Sequence, residues 1–153
     1  MAKLSDSAST DIDAPIETVW AIVQDVESAP RWQRGIDSMN AVKRDGDGRP
    51  TLADSVTDLK VKPFASRLSF AYEPPTRLSW MQERGDLKAL TGSWRLEVLD
   101  AGRTRATYAL DADPGALLSR FVKGALAEKL RAVLIDGRPG ELKSRAERES
   151  SMR

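Results

Sequence analysis

Apolar and polar positions alternate with two different periods along this chain, and the switch between them marks its elements. Ser5 to Asp13 alternates loosely and predicts a first strand. Ile16, Val19, Trp20 and Val23 then recur at i, i+3, i+4 and i+7, which is one face of a short helix. Pro15 suits its first turn, where a missing N–H costs nothing, with Asp13 or Ala14 as the cap. Glu17 lies where the helix dipole favours a negative charge. Asp25 to Trp32 contains Pro30 and reads as a second short helix or turn.

The period then falls to two. Strands are expected at Ile36 to Arg44, Thr51 to Lys62, Phe64 to Tyr72, Thr76 to Arg84, Leu87 to Leu99 and Arg103 to Ala112. Between them stand turn signals: Asp45-Gly-Asp-Gly48, Pro63, Pro74-Pro75, Gly85-Asp86 and Asp100-Ala-Gly102. Such short connections imply antiparallel pairing of successive strands. A long helix is expected from Pro114 to Asp136, capped by Asp113, with Leu118, Phe121, Val122 and Ala125 beginning its apolar stripe. Leu126, Leu130, Val133 and Leu134 continue that stripe. Gly137-Arg-Pro-Gly140 should bend or end the helix, leaving 137–153 as a kinked or fraying helical tail beyond a folded core of 5–136 in one domain.

Strand alternation also sorts the faces. Phe64, Leu68, Phe70 and Tyr72 share one, with Arg67 outside. Leu78 and Trp80 share a face with Gln82 and Arg84. Leu90, Gly92, Trp94, Leu96 and Val98 share another, and Thr104, Ala106, Tyr108 and Leu110 a fourth. Ala53, Leu59 and Val61 are the more apolar set of their strand, which places Asp54 and Asp58 outside. A curved antiparallel sheet with these inner faces needs a cover, and the C-terminal helix is the long apolar element left to supply it. Gly92 on the inner face leaves room for close helix approach or for a cavity.

Composition narrows the chemistry. The chain has 153 residues, 41% of them hydrophobic and 31% charged, and a net charge of +1 from 24 basic and 23 acidic residues. No basic stripe supports nucleic-acid binding. No apolar run is long enough for a membrane span. MAKLSDSAST lacks the apolar core of a secretory signal, so a cytoplasmic location is expected. There is no Cys and no His. Disulfides, thiolate nucleophiles, zinc sites of the usual ligands and a His general base are therefore excluded. Chemistry, if any, runs on Asp, Glu, Lys, Arg, Tyr, Ser, Thr, Trp or water. The sequence calls for no cofactor and no metal.

The order of elements, together with Ile12-Asp-Ala-Pro15, Val19-Trp20, Asp25, Pro30-Arg-Trp32, Gly92-Ser-Trp94 and Gly102-Arg-Thr-Arg-Ala-Thr-Tyr108, resembles the START-like or Bet v 1-like superfamily of polyketide cyclase/dehydrase and lipid-transport proteins. The resemblance covers nearly the whole chain. It implies an α+β helix-grip fold: a seven-stranded curved antiparallel sheet, two short helices after the first strand, and a long C-terminal helix over the concave face. It also implies a cavity between sheet and helix. Members bind lipids, sterols, quinones, polyketides or plant hormones, and some are cyclases; the fold does not choose among these.

The expected ligand contacts are Phe70, Tyr72, Trp80, Arg84, Gly92, Trp94, Tyr108 and Phe121. Singly, the aromatic residues read equally as ordinary core. As a set, their bulk and polar tips favour a cavity. Arg84 either orients a polar ligand group or points to water from its strand end. Trp32 either guards a cavity mouth or staples the short helices to the sheet. Three functions fit: binding or transport of a hydrophobic small molecule, a polyketide aromatase/cyclase using Tyr72, Tyr108 and Arg84, or a protein-interaction module with a vestigial cavity and an active charged tail. The oligomeric state is left open.

Overall fold

The computed structural model describes residues 4–58, 63–120 and 123–152. Seven strands, β1 (Leu4–Ile12), β2 (Ile36–Arg44), β3 (Pro50–Asp58), β4 (Pro63–Glu73), β5 (Arg77–Gly85), β6 (Ala89–Asp100) and β7 (Arg103–Asp113), form one antiparallel sheet. Their order is β1-β7-β6-β5-β4-β3-β2. Strands β2 to β7 make a meander of adjacent hairpins, and β1 closes its far edge by pairing with β7. Helix α1 (Ile16–Gln24) and a 3-10 helix (Val26–Arg31) carry the chain from β1 to the opposite edge at β2.

Helix α1 starts one step later than its cap residues suggest. Pro15 itself is the N-cap, and its carbonyl accepts the N–H groups of Thr18 and Val19 at 3.0 and 3.2 Å. Val19, Trp20 and Val23 are buried, as their spacing predicts. On the outer side of the sheet, Arg67 makes a two-pronged bond to Asp54, at 2.8 and 3.0 Å. Asp54 is therefore outside, as expected. Leu59 and Val61 lie outside the described residues.

The C-terminal cover differs from the single helix expected over Pro114 to Asp136. It begins with a short α2 (Gly115–Ser119). Lys123 is then extended and Gly124 takes a left-handed φ of 61°, so the helical path restarts as α3 (Gly124–Arg131). A π turn (Ala132–Asp136) follows, and α4 (Arg138–Ser151) runs on from it. Gly137 and Pro139 thus mark a kink rather than a stop. Pro139 falls in the first turn of α4, where no N–H is required.

The segment after Gly137 does not fray over 138–151. Leu142 and Ala146 are fully buried, and they join the main core with Ile12 and Val19. Burying a leucine in this way stabilises by about 2 kcal/mol. Polar ties fix α4 against β1. Lys143 donates to the Asp11 carbonyl at 3.1 Å, and Glu147 accepts the Asp13 N–H at 2.8 Å. Leu130, Leu134, Arg138, Leu142 and Ala146 are all buried and lie four residues apart. Four residues overshoot one 3.6-residue turn, so such a row drifts around an α-helix. The wider π turn takes back part of that drift and holds the row on the core side.

The buried apolar residues fall into two clusters. The larger joins α1, β1, β6, β7 and α4; the smaller is Met39, Ala53 and Leu68 on β2, β3 and β4. Phe70, Trp80 and Leu90 pack against both.

Candidate functional site

Between the two clusters lies a cavity of about 130 Å³. A void of this size accepts a molecule of about one aromatic ring. Its floor is the concave face of the sheet, including Leu68, Phe70, Trp80, Trp94, Tyr108 and Leu110. Its roof comes from Val23, Val26 and Trp32 on the α1 side and from Leu134 and Arg138 on the C-terminal helices.

A continuous chain of rings crosses this space. Phe70 meets Trp80 at 6.3 Å between centroids, Trp80 meets Tyr108 at 5.7 Å, Tyr108 meets Trp94 at 4.7 Å, and Trp94 meets Trp32 at 6.2 Å. All are tilted pairs in the range where aromatic quadrupoles attract. Strand register sets this up: Phe70 is opposite Trp80, Trp80 opposite Gly92, and Trp94 opposite Tyr108.

Four residues expected at the site, Phe70, Trp80, Trp94 and Tyr108, border the cavity. Three others are placed elsewhere. Tyr72 lies toward the end of its strand, where its hydroxyl donates to the Pro50 carbonyl at 2.5 Å and Arg49 sits 5.5 Å from its ring centre. Gly92 does not border the space, because the Trp80 indole lies against its bare Cα.

Arg84 is a correction. Its expected phase counts evenly from Trp80, but a bulge between β4 and β5 pairs Leu68 with Gln82 and Arg67 with Arg84. Glu83 is the extra residue, and it turns Arg84 to the outer face beside the Asp54–Arg67 pair. There Arg84 helps to hold the Asp54 carboxyl below its usual value, after the larger effect of the Arg67 hydrogen bond. Phe121 lies outside the described residues. Trp32, which follows the 3-10 helix, borders the cavity and packs on Trp94 of the sheet at 6.2 Å between ring centroids.

Arg138 is the residue that strand and helix patterns did not single out. Only 2% of it is exposed, and it borders the cavity. Its Nη1 donates to the Arg34 carbonyl at 2.6 Å and to Glu141 at 3.0 Å, while Glu141 accepts the Arg34 N–H at 2.8 Å. Both main-chain groups of Arg34 are thus held by α4. The sequence signal was present in the row of four-residue steps from Leu130 to Ala146, with a charge in its middle. Gln33, Met39, Ser55 and Ser66 also border the cavity and were not foreseen.

Burial raises the pKa of the Tyr108 phenol, and the Arg138 guanidinium beside it offsets part of that rise. Tyr108 therefore stays protonated, with Arg138 facing its oxygen and its own proton available to a third group. No cluster of carboxylates suited to a metal ion occurs among the described residues. No helix among them is long and apolar enough to cross a membrane.

Several solved structures share this architecture. A START superfamily protein from Mycobacterium smegmatis superposes with a TM-score of 0.74 at 21% identity, over 97% of both chains. The Zhui aromatase/cyclase from Streptomyces sp. R1128 gives a TM-score of 0.75 at 18% identity, over 96% of this chain and 95% of that one. No curated protein matches by sequence. The family model for polyketide cyclase/dehydrase and lipid transport matches residues 12–137, from the end of β1 to the kink before α4. With that match and the helix-grip sheet beneath it, the chain belongs to the polyketide cyclase/dehydrase and lipid transport family of START-like proteins.

Proposed function

We propose that this protein binds a small hydrophobic molecule in the cavity between its sheet and its C-terminal helices. The observation that carries this reading is the unfilled space at the centre of an aromatic chain from Phe70 to Trp32. Protein interiors pack densely, so an apolar void costs stability unless something occupies it. Its volume of about 130 Å³ favours a compact ring compound over a long-chain lipid. Denaturing extraction of protein purified under mild conditions, followed by mass spectrometry, should recover such a compound. Leu110→Trp, which fills the space, should yield none while keeping its fold. Failure of the native protein both to yield a compound and to take up small aromatic probes would end this reading.

Aromatase/cyclase activity is the second reading, supported by the Tyr108–Arg138 pair and by the likeness to the Zhui aromatase/cyclase. The proton-transfer roles expected of Tyr72 and Arg84 fall away with their positions, which leaves Tyr108 as the acid. Its removal in Tyr108→Phe should lower turnover of a poly-β-ketone by about a hundredfold. Unchanged turnover would remove Tyr108 from the chemistry. The interaction-module reading loses the free tail it relied on, because Leu142 and Ala146 are buried in the chain's own core.

A further inference from the structure

The polar groups that border the cavity divide into two sets. On the β3–β4 side they satisfy one another. Ser55 donates to the Ser66 carbonyl at 3.2 Å, and Ser66 donates to the Gln82 side chain at 2.8 Å. On the opposite side donors are in surplus. The Trp32 Nε1–H and the Arg138 Nε–H are sealed from water and have no acceptor among the described residues. Tyr108 lies between them in space, touching Trp94, which touches Trp32, on one side and facing Arg138 on the other. Buried donors without acceptors are rare and costly. Two of them, on side chains that border one void and flank the Tyr108 hydroxyl, describe a pole built for an acceptor that the protein itself does not supply.

Charge decides which acceptor. Arg138 is already matched by Glu141 at 3.0 Å, and Asp25 also borders the cavity. A carboxylate ligand would bring a further negative charge into a low-dielectric site whose one buried cation is already paired. A neutral carbonyl oxygen accepts the same hydrogen bonds without that penalty.

We propose that the cavity selects a neutral, compact hydrophobic ketone whose carbonyl oxygen sits at the pole formed by Trp32, Tyr108 and Arg138. The proposal rests on the reading of the cavity as a binding site and adds the ligand's orientation and functional group. A site arranged to hydrogen-bond an oxygen rejects the analogue that lacks it, because its donors are then left unmet.

The test uses the full chain, labelled with nitrogen-15 and titrated with acetophenone, ethylbenzene and benzoate. Acetophenone should bind about tenfold tighter than ethylbenzene, the factor expected of a hydrogen bond from buried donors. Benzoate should bind no better than ethylbenzene. The Trp32 indole N–H resonance, assigned through Trp32→Phe, should move downfield with acetophenone and not with ethylbenzene. In Tyr108→Phe, which keeps its ring, and in Trp32→Phe, which replaces the indole with a smaller aromatic ring that has no donor, the preference for acetophenone should fall by about threefold or more. Equal affinities for acetophenone and ethylbenzene would overturn the ketone pole and leave the cavity reading standing. Tightest binding by benzoate would overturn the neutral choice. Binding by none of the three would remove the cavity reading and this inference together.

Discussion

Gly92 and Trp80 face each other across β6 and β5, and the indole occupies the space that a side chain at residue 92 would need. A Cβ there would lie 2.4 Å from the ring carbons of Trp80. The glycine therefore sets how Trp80 lies, and through it the contacts with Phe70 and Tyr108 on either side. Gly92→Ala should displace the indole rather than the sheet. The expected loss is about 1–3 kcal/mol in urea denaturation, the usual range for overpacking. Near-ultraviolet circular dichroism should change with it, because the coupled rings are reoriented. An alanine variant of native stability and native aromatic spectrum would show that Trp80 has another position available.

Tyr72 tests the boundary of the site from the other direction. Its hydroxyl is engaged by the Pro50 carbonyl, and the residue does not border the cavity. Tyr72→Phe should destabilise the fold by about 1 kcal/mol through the lost hydrogen bond. Affinity for small aromatic probes should stay at the native value. A fall in probe affinity without a fall in stability would return Tyr72 to the site.

The strands were legible in the sequence because a half-buried strand writes its burial as a period of two. The strands appear close to their expected bounds wherever these fall on described residues, and the inner faces of β4 and β7 follow their alternation; that of β6 does so from Leu90 to Leu96, but Val98, expected on the same face, is 61% exposed near the strand's end. The β5 face went wrong at one residue. Gln82, Glu83 and Arg84 carry no glycine or proline to announce a bulge, and one inserted residue reverses every side chain beyond it. At the C-terminus Gly137 and Pro139 read locally as a bend or an end, and the bend is what stands, because Leu142 and Ala146 continue the buried row past them. Arg138 lies in that row, yet its charge gave no local reason to place it inside. Its burial depends on partners more than a hundred residues away in sequence, the main-chain groups of Arg34, and no local pattern encodes those.

Acid should loosen the attachment of α4. Glu147 holds Lys143 at 2.5 Å and the Asp13 N–H at 2.8 Å, and these two bonds lower its pKa against a smaller opposing effect of burial. Asp11 and Asp54 are lowered mainly by hydrogen bonds from Arg105 and Arg67. For a lowered carboxyl, the stabilisation is present above the unfolded value, near 4.3 for Glu, and is lost as pH falls through the folded value. Stability should therefore decline below about pH 4.5. Glu147→Gln should flatten part of that slope while costing under about 1 kcal/mol at neutral pH, as befits a partly exposed pair. An unchanged acid slope in the variant would place the sensitivity elsewhere.

Alkaline titration offers a sharper reading, because the chain has two tyrosines and both are raised. For Tyr72 burial is the main cause, followed by the nearby Asp45 carboxylate, with Arg49 offsetting part of the rise. For Tyr108 burial again dominates, and Arg138 opposes it. In the unfolded chain both ionise near the ordinary value of about 10. A group whose folded value is raised gives its full stabilisation below the unfolded value and loses it as pH rises toward the folded one. Lys143, raised by its bond to Glu147, acts in the same direction. The tyrosinate absorbance should therefore stay flat through about pH 10, where exposed phenols would be half ionised. It should then appear in one cooperative step together with loss of far-ultraviolet circular dichroism. In Tyr72→Phe the step should keep its form at half the amplitude, since Tyr108 alone remains. Reversible ionisation of that remaining tyrosine near pH 10 with the dichroism intact would mean that the Tyr108 hydroxyl reaches water, and the sealed pole of the cavity would be lost with it.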